Sequence, residues 1–226
     1  MVPAYIFNPY DFMFDIISSL VIVISCFIIY AKTRELYDLS SYKGIKYFRN
    51  TFLFFGITYF IRFLLHILRE LRHSLLFGPA FGVFEIAFFV MVYSSSMALL
   101  YLLYSLFWKK LDREPLNKGY FPHVIALILA IVSMFERIAF FFLAAQVILF
   151  GVLLIASAAN YRKLRKKGGV AKIYLIYPMI FGLLVLSNIL EFVTLFSPIV
   201  GVIIYIASIP LFLVMMTKVL GELNNR

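Results

Sequence analysis

Seven stretches of the chain, at about 12–31, 48–68, 80–107, 121–135, 138–160, 173–196 and 199–218, are nearly unbroken in apolar residues. A helix rises about 1.5 Å per residue, so roughly 20 such residues cross a hydrocarbon core of about 30 Å. Each stretch meets or approaches that length. The pattern predicts an all-α, polytopic integral membrane bundle of seven transmembrane helices, one domain over 1–226. The fourth stretch is the shortest and is bracketed by Pro122 and Glu136, so it is expected to lie obliquely or to span only with its flanks. Ser197-Pro198 leaves room for only a tight turn, which makes the sixth and seventh helices antiparallel neighbours. Pro178 and Pro210 fall inside spans and are expected to kink them.

The second stretch breaks the apolar rule with a regular pattern. Thr58, Arg62, His66, Arg69 and His73 recur at the spacing of one helical face. An ionisable group at membrane depth is costly and normally faces protein or a wet cavity rather than lipid. The stripe therefore predicts a polar interior. Other intramembrane polar groups that can meet it are Asp15, Glu85, Gln146, Asn188 and Glu191.

Charge fixes an expected orientation. Of the 21 basic residues, 17 fall in the first, third and fifth connections and the tail. The excess of Lys and Arg in cytoplasmic loops then puts the N-terminus outside and the C-terminus inside. Residues 1–9 carry no basic run and no cleavage site follows the first apolar stretch, so that stretch is expected to be a retained span. With 64% hydrophobic and 14% charged residues, the composition is that of a multi-pass protein of the cell membrane. The net charge of +10 is distributed for lipid, not nucleic acid. The run Arg162, Lys163, Arg165, Lys166 and Lys167 is expected to anchor the topology and to attract anionic lipid at the cytoplasmic face. It equally suits docking of a membrane or cytoplasmic protein partner.

The first three spans can be laid on the last three. Ala31-Lys32-Thr33-Arg34-Glu35-Leu36 then falls on Ala159-Asn160-Tyr161-Arg162-Lys163-Leu164, Phe55-Gly56 on Phe181-Gly182, and Arg62 on Asn188. In topology and in this 3+1+3 pattern the chain resembles compact seven-helix proteins: opsins, receptor-like sensors and sugar-transporter-like proteins. Tyr37-Asp38-Leu39-Ser40 through Gly44-Ile45-Lys46-Tyr47-Phe48-Arg49 is similar to the first cytoplasmic connection of microbial seven-helix sensor modules. The resemblance implies a seven-helix fold that binds or senses. It does not extend to retinal, which needs a lysine midway along the last span, whereas Lys218 lies at the end. No cofactor is expected.

Two roles for the polar stripe stay open. Arg62 can pair with Glu85 or Glu191 purely to lock helices together, or it can anchor a small polar solute or ion in an outward-facing pocket with His66, Glu85, Gln146, Asn188, Glu191 and Asp15. No metal site is expected, because His66 lacks the companion ligands that zinc needs. Catalysis is not expected either: the chain has three histidines, of which His123 falls at the opposite face, and no nucleophile elbow or phosphate-binding glycine loop. Ser94-Ser95-Ser96 has no base beside it and suits helix packing instead. The function expected is that of a sensor or receptor-like protein acting through a partner. A small-solute or ion transporter and a structural subunit of a membrane complex are the alternatives.

Overall fold

The computed structural model describes residues 9–75, 81–111, 120–136 and 139–165, with further helical positions at 182, 209–210, 212–214, 216–217 and 221. Its elements are α1 (Pro9–Ser40), α2 (Lys43–Leu75), α3 (Phe81–Leu111), α4 (Phe121–Glu136) and α5 (Ala139–Arg165). Among the described residues, four segments are long and apolar enough to cross a membrane: Ile16–Ser40, Lys43–Leu68, Gly82–Trp108 and Ala144–Arg162. The expected sixth and seventh spans lie outside the described residues apart from the isolated helical positions. The expected fourth span is a short helix of 16 residues. That is about 24 Å of rise, less than a hydrocarbon core.

The distribution of side chains is that of a membrane bundle. On α1, Met13, Ile17, Leu20, Ile24 and Phe27 are all exposed and share one face, while Ser18, Ile22, Ser25, Ile29 and Thr33 are buried on the other. Exposed apolar faces of this kind also run along α4 (Val124, Leu127, Ile128, Ile131) and α5 (Val147, Ile148, Val152, Ile155). Such continuous apolar surface is unfavourable in water and suits lipid. The buried hydroxyls satisfy themselves within their own helices. Ser25 donates to the Val21 carbonyl at 2.7 Å, Thr33 to Ile29 at 2.6 Å, Ser94 to Val90 at 2.7 Å and Ser133 to Leu129 at 2.7 Å.

The first connection is much shorter than the sequence suggests. Residues 32–40 continue α1 instead of forming a loop, leaving only Ser41 and Tyr42 between the helices. Their charges, which look like loop charges in the sequence, form exposed pairs along the helix: Lys32 with Glu35 at 3.2 Å and Arg34 with Asp38 at 4.0 Å. Pairs this exposed stabilise little. Ser41 ends α1 in the left-handed region at φ 52°, its N–H donating to the Tyr37 carbonyl at 2.8 Å. Trp108, near the end of α3, closes this corner by donating from Nε1 to the Tyr42 hydroxyl at 3.0 Å. Gly44 makes the approach possible, since a Cβ there would lie 2.7 Å from the Tyr42 ring and 3.0 Å from the Trp108 ring.

The helix α3 is the hub of the described bundle. It packs against α2, α4 and α5, while α1 packs on α2. Of its membrane window 61% is buried, against 22% for α5. One core joins Ile22, Cys26 and Ile29 of α1, Phe52, Phe55 and Tyr59 of α2, Ala98, Leu99 and Leu102 of α3, Leu153 of α5, and Phe212. A second, around Met97, Tyr101 and Ala126, fixes α4 on α3. Ala130 meets Val92 further along, so α4 runs antiparallel to α3. Its first turn lies beside Tyr101, about 15 Å of helix rise before the end of α3 at Leu111.

Candidate functional site

Arg62 is turned into the bundle. Its side chain is 4% exposed, as is that of Thr58 one turn earlier, and His66 one turn later is half-buried. Over Thr58, Arg62 and His66 the face predicted from spacing is thus turned inward; the side chains of Arg69 and His73 lie outside the described residues. The guanidinium carbon lies 5.9 Å from the centroid of the Tyr59 ring, within reach of a cation–π contact. Tyr59 is itself held edge-on by Phe55, at 4.9 Å between centroids. Both Arg62 and His66 make further contacts.

Glu85 does not join them. It is exposed on α3, and among the described residues it forms no ion pair with Arg62. The physical reason is local: Glu85 sits near the start of α3, where the helix presents Gly82, Val83 and Ile86 outward as well. The alternative partner Glu191, and Asn188, lie outside the described residues. Asp15 lies on α1 with its side chain outside them.

Gln146 is brought into the core, 2% exposed, and donates from Nε2 to Ser95 Oγ at 3.0 Å. The bond joins α5 to α3. Deep in a bundle an unpartnered amide is expensive, and a hydroxyl presented by a neighbouring helix is its natural complement. Ser95, fully buried, thus does more than let helices approach. Arg162 is exposed at the end of α5, which also carries Lys163 and Arg165; Lys166 and Lys167 lie outside the described residues.

The structure adds a cluster that the sequence did not single out. His123, in the first turn of α4, is held between two tyrosines of α3: Nδ1 lies 2.6 Å from the Tyr93 hydroxyl and Nε2 lies 3.1 Å from that of Tyr101. Phe54 of α2 packs edge-on against the imidazole at 6.2 Å and stacks on Tyr101 at 5.5 Å. Tyr47 stacks on Tyr101 and meets Tyr104 edge-on, at 6.1 and 5.7 Å. Three helices therefore contribute to one dense aromatic and polar contact. The available signal was the spacing of Tyr93, Met97, Tyr101 and Tyr104 along one face of α3. The sequence places His123 only at the face opposite the other two histidines.

No family model and no solved structure matches the chain. A protein of Archaeoglobus fulgidus, described as an uncharacterized protein, is 32% identical over 209 residues, which cover 91% of this chain and 90% of that protein. Similarity of that extent covers most of the chain, and the chain belongs to the same family as the Archaeoglobus fulgidus protein.

Proposed function

We propose that the protein is a seven-span, receptor-like sensor of the cell membrane, with its N-terminus outside and its C-terminus inside. It binds a small polar solute or ion around Arg62 and acts through a partner rather than by catalysis. The observation that carries this reading is the burial of Arg62 within a membrane-length helix, at 4% exposure, with Thr58 buried and His66 half-buried on the same face. A guanidinium held there keeps a planar set of donors for an anionic or polar group. His66, Gln146, Asn188, Glu191 and Asp15 are candidates to complete the site. Glu85, exposed, would serve at its entrance. The basic run Arg162 to Lys167 serves as the cytoplasmic contact with anionic lipid or a partner protein, with no role for nucleic acid.

A transporter is the second reading, favoured by one observation. Polar groups do not stop near Arg62 but recur at buried Ser95 and Gln146 and at the part-buried Tyr93–His123–Tyr101 contact. A carrier requires polar groups on both sides of the midplane.

A thermal-stability screen of the purified full-length chain tests the binding claim. Small anions, amino acids, sugars and divalent cations are screened across pH, on the wild type and on Arg62→Lys. A ligand at a hundredfold excess over its Kd raises stability by about 2.7 kcal/mol. At least one class is expected to stabilise the wild type and to lose most of that effect in Arg62→Lys, which keeps the charge but not the planar fork. If no class stabilises the wild type, or if every hit acts equally on the variant, Arg62 is a helix-locking residue and the structural-subunit reading replaces the sensor.

A further inference from the structure

We propose that His123 is a proton-binding site of the bundle, held in both of its charge states by the hydroxyls of Tyr93 and Tyr101. The inference stands apart from the Arg62 site and does not depend on it. Its basis is that both imidazole nitrogens are engaged by groups able to donate or accept.

A neutral imidazole has one N–H and one bare nitrogen. The shorter contact, 2.6 Å at Nδ1, suits the Tyr93 O–H donating to the bare nitrogen; the 3.1 Å contact suits Nε2–H donating to the Tyr101 oxygen. When a proton arrives at Nδ1, the Tyr93 hydroxyl rotates from donor to acceptor and the Nε2–H bond to Tyr101 persists. The imidazolium then donates on both sides, so neither protonation state leaves a ring nitrogen without a partner. On release the Nδ1 proton leaves again and the Tyr93 hydroxyl turns back to donate to the bare nitrogen, which restores the starting tautomer. Only N–H and O–H bonds form and break, and the proton comes from and returns to water.

The Asn50 side chain lies near the Tyr101 hydroxyl. Tyr93 and Tyr101 are two turns apart, so the contact covers about 12 Å of rise along α3.

Phenols and apolar rings surround His123. The titratable side chains around it are Tyr47 of α2 and Tyr93, Tyr101 and Tyr104 of α3; α2 adds uncharged Asn50 and Phe54, and α5 adds Leu149. Among the described residues no carboxylate and no second cation touches it. Tyrosine stays neutral through the range in which histidine ordinarily titrates.

The test is the nitrogen NMR signature of the imidazole in the full-length, histidine-labelled chain in a lipid bilayer. There are three histidines, so His123→Gln identifies its signal; His66→Gln and His73→Gln identify it by elimination if that variant does not fold. The wild-type signal is expected to change from the neutral to the imidazolium pattern as pH falls while the protein stays folded. Tyr93→Phe and Tyr101→Phe are each expected to move the midpoint to lower pH by about one unit or more, because the charged form loses a charge-assisted hydrogen bond. A signal that stays neutral at every pH where the fold persists overturns the proposal. So does a midpoint that neither tyrosine substitution moves, and His123 is then only a pin between α3 and α4.

Discussion

Arg62→Ala is expected to destabilise the bundle by about 2–5 kcal/mol, the cost of truncating a large buried side chain. The guanidinium is buried on the inward face of α2, rests against Tyr59 and makes further contacts. Truncation therefore removes the ring contact and leaves a void the size of the side chain. Arg62→Lys is expected to cost less, since the charge remains while the planar donors are lost. Unfolding in lipid–detergent mixtures measures both. A loss below about 1 kcal/mol for the alanine variant would equal that of an exposed charge and would mean that the guanidinium reaches water.

Phe55→Ala is expected to be comparably damaging for a different reason. The ring is 1% exposed, stacks on Phe212 at 5.8 Å and holds Tyr59 edge-on. In a soluble core the substitution costs about 3–5 kcal/mol, part of it transfer to water and part of it the cavity. In a bilayer the unfolded helix leaves the ring in lipid, so the transfer part largely vanishes and the packing part remains. About 2–3 kcal/mol is the expected loss. Phe60, 47% exposed on the same helix, is the control, and its alanine variant is expected to stay within about 0.5 kcal/mol of wild type. Equal effects at the two positions would contradict the core assignment. Because Tyr59 connects Phe55 to Arg62, Phe55→Ala is also expected to loosen the cation–π contact.

What the sequence made legible follows from what periodicity records. A helical face is a spacing, so Thr58, Arg62 and His66 could be assigned to one inward stripe before any coordinates. Gln146 could be assigned to the interior by cost alone. Its partner Ser95 could not, because three consecutive serines point in three directions and only the packing of α5 selects one. Lys32 to Ser40 show the opposite error. Charged residues suggest a loop, but a helix leaving the membrane carries charges at no cost once it reaches water, and α1 simply continues. Of the two partners expected for Arg62, Glu85 rested on similar depth, and depth does not fix azimuth, while Glu191 lies outside the described residues. His123 was missed because its position depends on where a short helix begins against its neighbour. That is a tertiary fact, set here by Ala126 and Ala130 packing on α3.

The most direct test of an outward-facing polar site is accessibility at His66, half-buried one turn beyond Arg62. Cys26 is the only cysteine and is buried. Cys26→Ala therefore supplies a silent background that keeps the Cβ packed near Gly56. Into it are placed His66→Cys and, separately, Gly168→Cys, and intact cells are treated with a membrane-impermeant thiol reagent. Labelling of the position 66 cysteine from outside, with the position 168 cysteine reacting only after permeabilisation, is the predicted result. A position 66 cysteine that stays unreactive until the membrane is opened, or a position 168 cysteine that labels in intact cells, would contradict it.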